Sequence, residues 1–475
     1  MVRRYGLVVV AVVAMACVTN PATGRSQLNM LSEAQEIALG READQQVRAE
    51  MGVYDDAGWQ AYVTRVGMAM AKKSHRPNLP WSFVVVDASA VNAFALPGGF
   101  IYVTRGILPF LQSEAELANV LGHEIAHVTA LHGASAYSKQ QLSGIGLGVG
   151  RILAPERYQV LFGVAEASLS LLYLKHGRAA EIEADRLGVG YASSSGWDPA
   201  GMVGLLSTLG RLSEASGSSR GVPNFLTTHP LPADRIESVK ALVTAAQGPG
   251  AQTINAAEFS GRLPGVVWGD SREQGIVRGR EFVHPILRIA LRFPDGWEIS
   301  NGASQVTAQP AGEAQAAVVL RVVPNATGGP AQTARAQMAA AKLTEVSGGE
   351  TTINGQRAYV GTYRGEQEVV RAAFIVAGST TYLVAGVATT QAFGSAQGTF
   401  ANTIESFRTM TQAEADQIQP FRVGQYTVRS GDTWSSLAAA AAPRPIGPAT
   451  LAIMNGATAA STPPVNARIR VVVGG

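Results

Sequence analysis

The feature that most constrains the fold is a segment that begins at Ser113 and carries two histidines four residues apart. Ser113 is followed three positions later by Glu116, a pattern typical of a capping box at a helix start, and apolar residues then recur at helical spacing toward Gly133. Within this segment, residues 123–127 read His-Glu-Ile-Ala-His. Residues four apart lie on one face of a helix, so both imidazoles can reach a single ion. The sequence therefore predicts a metal-binding helix.

Zinc is the metal that this spacing favours, because zinc accepts neutral imidazole ligands and keeps one position for water at catalytic sites. Glu124 adjoins the first histidine, where it can take a proton from a water molecule and later pass it to a leaving amine. We therefore expect one Zn²⁺ per chain, with His123 and His127 as ligands and Glu124 as the general base.

The remaining ligand has to come from another part of the chain. On a continuous helix His132 would lie about 140° around the axis from His127 and would face away, as a surface or supporting histidine. Glu181 and Asp185 share a face of a later predicted helix, so that one carboxylate can bind zinc while the other orients a ligand histidine. Glu183 points roughly opposite to this pair and is expected to face solvent.

The length and composition favour several domains and argue against nucleic acid as a partner. The 475 residues exceed a single ordinary core, and 38 basic against 35 acidic residues leave a net charge of only +3. We expect an α+β multidomain chain. Its parts are a mainly helical zinc-protease domain with a small sheet (18–245), a linker (246–257), a second α+β domain without a catalytic constellation (258–411), and a small terminal module (424–475).

The first 17 residues resemble a bacterial lipoprotein signal. Arg3 and Arg4 precede an apolar run of about ten residues, a length typical of a signal-peptide core, and the single cysteine of the chain follows at Cys17. The alternative is an ordinary secretory signal with a chance cysteine. In either case we expect a protein of the cell envelope; a lipid on Cys17 would anchor it to a membrane, and Val18 after the cysteine favours the outer membrane.

Together these motifs resemble the gluzincin metallopeptidases with an HExxH motif, the family that includes the CAAX prenyl protease, HtpX and the periplasmic protease BepA. The resemblance spans about residues 18–245 and includes the helix with Glu181 and Asp185, residues 92–99, and His229-Pro230 followed by Arg235. It implies that Glu181 is the third zinc ligand and that Asp185 orients a ligand or acts as an acid. It also implies that His229 approaches the metal, either to steady the reaction intermediate or to cap the open position, with Arg235 as the alternative group that steadies the intermediate.

The resemblance further implies a place and a substrate class. No apolar run of 18 or more uncharged residues follows the leader, which favours the periplasmic branch of the family over the membrane-spanning branches. Misfolded envelope proteins are the expected substrates, and their backbone would add to an edge strand near residues 98–103. Residues 136–176 are apolar and glycine-rich and are expected to form a lid or a core segment.

The terminal module resembles LysM, a small strand–helix–helix–strand unit that binds the glycan of peptidoglycan. The resemblance begins with residues 426–437, and Asn455-Gly456 and the last apolar strand fit the same pattern. We therefore expect peptidoglycan as a partner. The alternatives to a protease are a latent or inactive protease that acts as a tethered binding or assembly factor, and a peptidoglycan hydrolase.

Overall fold

The computed structural model describes residues 17–143, 176–216, 225, 228–230, 233–246, 252–302, 304–312, 315–440 and 446–475. The described residues form an α+β structure with several small sheets, so the predicted α+β class is confirmed. Most of the signal segment and most of the glycine-rich stretch expected to be a lid lie outside these residues. Within the described part of the chain, no helix is long and apolar enough to cross a bilayer.

The N-terminal part is mainly helical and contains two small sheets. Its elements are β1 (Cys17–Thr19), β2 (Ser26–Leu28), α1 (Glu33–Met51), α2 (Ala57–Ala71), β3 (Ser82–Val86), β4 (Ala93–Leu96), β5 (Phe100–Thr104), α3 (Glu114–Thr129), α4 (His132–Ser143), α5 (Arg178–Ser194), α6 (Gly201–Ser216), α7 (Ala233–Ala246) and α8 (Ala256–Arg262). Strands β1 and β2 form an antiparallel hairpin. The other sheet has the order β3-β5-β4, with β3 parallel and β4 antiparallel to β5.

Helix α3 lies at the centre of this domain. Every residue from Glu114 to Thr129 is buried, and the helix packs against α2, α5, α6 and β4. The predicted cap is only half formed, because the Ser113 side chain accepts a hydrogen bond from the Glu116 N–H, whereas the Glu116 carboxylate turns to the Gln112 N–H. At this buried N-terminus of α3, the Glu116 carboxylate therefore finds its hydrogen-bond partner in the preceding loop.

The same helix ends earlier than the sequence predicted. It stops at Thr129 rather than near Gly133, and Leu131 adopts a left-handed conformation with φ 58° before α4 begins at His132. Because the helix axis changes direction at this point, the angle calculated for His132 on a continuous helix does not apply.

The second α+β part is formed mainly by antiparallel strands. Its elements are β6 (Val267–Trp268), β7 (Ile276–Arg278), β8 (Glu281–His284), β9 (Ile289–Arg292), β10 (Trp297–Asn301), β11 (Gln305–Pro310), β12 (Ala316–Val322), α9 (Pro330–Ala340), β13 (Thr344–Ile353), β14 (Gln356–Arg364), β15 (Glu368–Ala377), β16 (Thr380–Thr389), α10 (Phe393–Glu405), β17 (Arg408–Thr409) and α11 (Gln412–Gln417). Seven strands pair in the order β10-β11-β12-β16-β15-β14-β13. Strands β15 and β16 form a hairpin whose turn contains Gly378, and this glycine has φ 60°.

The C-terminal module contains β18 (Phe421–Thr427), α12 (Trp434–Ala439), α13 (Pro448–Met454) and β19 (Arg468–Gly474). Its two strands pair with each other, and β18 also pairs with β6. The module packs on the helical domain, where the buried guanidinium of Arg470 donates hydrogen bonds of 2.9 Å to the main-chain carbonyls of Pro109 and Leu111. It donates a third, also of 2.9 Å, to the Met454 carbonyl within the module. The module is therefore attached to the helical domain by contacts as well as by the chain.

Candidate metal centre

Two glycines allow the helices of the site to approach closely. A Cβ atom on Gly122 of α3 would lie 2.8 Å from the Gly188 carbonyl oxygen, and one on Gly188 of α5 would lie 2.7 Å from the His123 nitrogen. Both distances are shorter than any normal contact, so only glycine permits this crossing. The crossing brings His123 and His127 of α3 opposite Glu181 of α5.

The side-chain atoms of these three residues converge on one point. The Nε2 atoms of His123 and His127 are 3.0 Å apart, and each lies 3.5 Å from an oxygen of Glu181. Ligands about 2.0–2.1 Å from a tetrahedral zinc ion are separated by roughly 3.3 Å, so the observed distances fit such an ion. Two imidazoles and a carboxylate are also a donor set that zinc accepts at catalytic sites.

His229 takes the fourth corner of this cluster. Its Nδ1 atom lies 3.3 Å from His123 Nε2 and 3.0 Å from Glu181 Oε1, and its ring stacks on the buried Phe225 at 4.4 Å. The potential ligand atoms of His123, His127, Glu181 and His229 all lie within 4.8 Å of one another. His229 therefore lies at the position that a catalytic zinc site would leave open.

Asp185 and Arg235 support the cluster from behind. Asp185 Oδ1 lies 3.0 Å from His123 Nδ1, and the Asp185 carboxylate accepts hydrogen bonds of 2.6 and 2.8 Å from Arg235. Arg235 also lies 2.8 Å from Glu181. With Asp185 beside its Nδ1 atom, His123 presents the lone pair of Nε2 to the cluster, as a metal ligand must.

Comparison with known proteins gives the family of this domain. Residues 59–243 match the model of peptidase family M48. The chain is 32% identical over 231 residues to the beta-barrel assembly-enhancing protease of Escherichia coli (strain K12). The aligned region covers 47% of this chain and 46% of the relative. Residues 59–243 belong to peptidase family M48.

Two further relatives are similar to this chain. The mitochondrial metalloendopeptidase OMA1 of Arabidopsis thaliana is 34% identical over 200 residues, covering 41% of this chain and 39% of the relative. The protein of the same name from Schizosaccharomyces pombe is 29% identical over 242 residues, covering 48% of this chain and 66% of the relative. The chain spans about half the length of the first curated relatives that it matches. The predicted membership of the HExxH metallopeptidases is confirmed.

Glu124 of the M48 domain is buried beside the cluster. Its Oε1 atom has no hydrogen-bond partner among the described residues and lies 3.7 Å from His229 Nε2. Burial raises the pKa of this carboxyl, opposed by His229 and His123. A buried carboxyl with a free oxygen beside the cluster is placed to exchange a proton with a water molecule bound there.

The pKa values of the other ionisable groups in the cluster shift in opposite directions. Burial, followed by the neighbouring imidazoles, lowers the pKa of His127 well below its ordinary value. Burial also opposes the charge of Glu181, yet His229 and His123 lower the pKa of that carboxyl. Burial also opposes the charge of His123, yet Asp185 and Glu181 raise its pKa to about 9. Without metal, Glu181 and His127 are therefore in the forms that bind a metal ion, whereas His123 would release a proton when a metal ion binds.

His132 and Glu183 of the M48 domain lie behind the ligand histidine His127. His132 Nδ1 is 2.9 Å from His127 Nδ1, and His132 Nε2 is 3.0 Å from Glu183 Oε2. The expectation that Glu183 faces solvent is wrong. Of the two positions predicted for His132, on the surface or in support of the site, the structure shows the supporting one, which the chain reaches by turning at Leu131.

His176 is a further group that the sequence did not single out. Its ring stacks on that of His127, with centroids 4.0 Å apart, and burial lowers its pKa to about 3. It precedes α5, the helix that carries Glu181. The only available signal was a histidine close to that helix, at the end of a stretch expected to be a lid or a core segment.

The expected edge strand near residues 98–103 is also wrong. That segment contains β5, which is the central strand of its sheet and pairs on both sides. The strand at the edge beside the site is β4, and a cleft lined by Ala95, Leu96 and Pro97 separates it from His127 and His176. The order of strands in a sheet depends on tertiary contacts, so alternation along the chain could not reveal which strand is at the edge.

Proposed function

We propose that this chain is a zinc-dependent metalloendopeptidase of the cell envelope that degrades misfolded or misassembled envelope proteins. The observation that carries the proposal is the convergence of His123, His127 and Glu181 next to the buried carboxylate of Glu124, one oxygen of which has no hydrogen-bond partner among the described residues. The name of the Escherichia coli relative, a beta-barrel assembly-enhancing protease, supports the assignment to envelope proteins.

His123, His127 and Glu181 would hold the ion, and the other residues would prepare the reaction. A bound zinc ion supplies a Lewis acid that polarises a carbonyl and lowers the pKa of water. Substrate backbone would pair with the free edge of β4 beside His127, which requires the narrow cleft there to open. Glu124 would take the proton from the attacking water and return it to the leaving amine.

We assign His229, rather than Arg235, to the developing negative charge on the substrate. Every guanidinium nitrogen of Arg235 already has a partner in Asp185, Glu181 or the Pro230 carbonyl, and the side chain is 1% exposed. His229 Nδ1 lies at the open corner of the cluster. In this position His229 also caps the site, which would make the enzyme latent. His229 would then have to move before substrate binds.

Digestion of casein by the purified, zinc-loaded chain tests the activity. Glu124→Gln should abolish cleavage while metal content and melting temperature stay at wild-type values, because the amide cannot take a proton. Glu237→Gln removes a surface carboxylate of α7, whose side chain is 71% exposed, and should leave cleavage unchanged. Equal digestion by wild type and Glu124→Gln would refute the mechanism.

A latent protease that acts as a binding or assembly factor is the second candidate, and the position of His229 favours it. His229→Ala should increase casein cleavage if the imidazole merely blocks the open corner. If neither wild type nor His229→Ala cleaves casein across several metals and pH values, the binding factor becomes the better assignment.

We further propose that Cys17 carries a lipid anchor and that residues 424–475 form a LysM-like module. The signal-like leader supports the anchor, and the strand–helix–helix–strand order supports the module. Mass spectrometry of the N-terminal peptide from membranes tests the first proposal, since an unmodified cysteine contradicts it. Sedimentation of the full chain with insoluble peptidoglycan tests the second, since a chain that stays in the supernatant contradicts it.

A further inference from the structure

The hydrogen bonds behind His127 form a continuous chain that ends in the N-terminal hairpin. His127 Nδ1 and His132 Nδ1 are 2.9 Å apart, and His132 Nε2 and Glu183 Oε2 are 3.0 Å apart. Asn20, on the turn between β1 and β2, donates through Nδ2 to Glu183 Oε2 at 3.4 Å. Asn20 is 2% exposed, so this end of the chain is also inside the fold.

The proton positions in this chain follow from its carboxylate end. Glu183 can only accept when ionised, so His132 donates from Nε2 and keeps its lone pair on Nδ1. His132 Nδ1 must then accept from His127 Nδ1–H. That leaves the lone pair of His127 on Nε2, the atom that faces the metal cluster.

The hairpin also stabilises the turn that returns His132 to His127. The Ala130 carbonyl lies at the C-terminal end of α3, where main-chain carbonyls lack helical partners. It accepts hydrogen bonds from Asn20 Nδ2 at 3.1 Å and Gln27 Nε2 at 2.9 Å. The next residue, Leu131, has φ 58°, a conformation that costs about 1 kcal/mol or more for a residue with a side chain.

We infer that His132 and Glu183 are positioning residues for the metal ligand His127, and that the N-terminal hairpin controls them through Asn20. The inference rests on the proposed metal site and adds a way to regulate it. Asn20 is three residues from Cys17. A force or an attachment at Cys17 would therefore be transmitted through Asn20 to Glu183 and His132, which position His127. Displacing the hairpin removes a donor from Glu183 and from the Ala130 carbonyl together.

The test measures metal affinity of the full chain by competition with a chromophoric zinc chelator. Glu183→Gln should weaken zinc binding about 10- to 100-fold, the usual effect of removing a residue that orients a ligand. Asn20→Ala should weaken it less, about fivefold, because its bond to Glu183 is long, at 3.4 Å, and acts on the ligand only through His132. Glu237→Gln, a surface carboxylate, should leave the affinity unchanged.

Replacement of His132 separates positioning from a general loss of structure. His132→Ala should weaken zinc binding, whereas His132→Asn should recover part of it, because the Asn oxygen can occupy the place of Nδ1 and accept from His127. The absorption of bound Co²⁺ reports the geometry of the site and should change with His132→Ala. The melting temperature of metal-free protein shows whether each variant folds.

Zinc affinities of Glu183→Gln and His132→Ala within twofold of wild type would overturn the inference, as would equal affinities for His132→Ala and His132→Asn. An Asn20→Ala variant with wild-type affinity would overturn the role of the hairpin. A wild-type chain that binds no zinc would refute the proposed function together with this inference. Equal casein cleavage by wild type and Glu124→Gln would refute only the proposed function.

Discussion

The substitution Glu116→Gln should raise the free energy of unfolding, relative to wild type, more at alkaline pH than at acidic pH. Glu116 lies on the buried helix α3, and its carboxylate accepts a hydrogen bond of 2.8 Å from the Gln112 N–H. Burial raises its pKa from 4.5 to about 7, against the opposing effects of Gln112, Arg470 and Arg211. Glutamine keeps an oxygen for Gln112 but carries no charge that has to be buried.

The direction of the pH effect follows from the raised pKa. Between about pH 4.5 and about pH 7 the folded chain binds more protons at Glu116 than the unfolded chain, so the free energy of unfolding falls as the pH rises through this range. The protonated carboxyl therefore contributes stability relative to the ionised one. That contribution is complete below the unfolded pKa and is lost as the pH rises through the folded pKa. The difference between the two pKa values corresponds to about 3 kcal/mol of unfolding free energy.

Urea unfolding of metal-free protein at about pH 5 and about pH 8.5 measures this contribution. The unfolding free energy of Glu116→Gln relative to wild type should rise by up to about 3 kcal/mol between the two pH values. Glu237→Gln, with an exposed side chain, should show no comparable change. A difference between Glu116→Gln and wild type that is the same at both pH values would refute the reasoning from burial.

Two further predictions concern the packing around the site. Gly188→Ala should lower the unfolding free energy by about 1–3 kcal/mol and reduce zinc content, because the added methyl group meets the main chain of α3. Gly190→Ala on the same helix meets no atom within 4 Å and should be neutral or stabilising by up to about 1 kcal/mol. Arg470→Met should destabilise the chain by about 3 kcal/mol or more in urea unfolding, because three buried carbonyls lose their donor; an unchanged transition would contradict the observed contacts.

The local pattern of the sequence was sufficient to predict the elements that carry the site. The capping residue Ser113 and the apolar spacing placed α3, and the spacing of Glu181 and Asp185 placed a second helix with both carboxylates on one face. These predictions depend only on neighbours within a few residues, which helical periodicity specifies. The structure then brings His123, His127, Glu181 and His229 together.

The features that the sequence did not reveal depend on tertiary contacts. The left-handed Leu131 is not glycine or asparagine, so nothing in the local sequence marked the turn that brings His132 to His127. The close crossing at Gly122 and Gly188 required knowledge of which helices are neighbours. Likewise, the buried Arg470 looked like an ordinary strand residue until its partners in a distant segment were known.

The metal content of the purified chain tests the central claim most directly. After loading with zinc and dialysis, elemental analysis should give one zinc ion per wild-type chain. His127→Ala and Glu181→Ala should retain far less, since each removes one of the three convergent donors. A wild-type chain without bound metal, or variants that keep a full equivalent, would contradict the account.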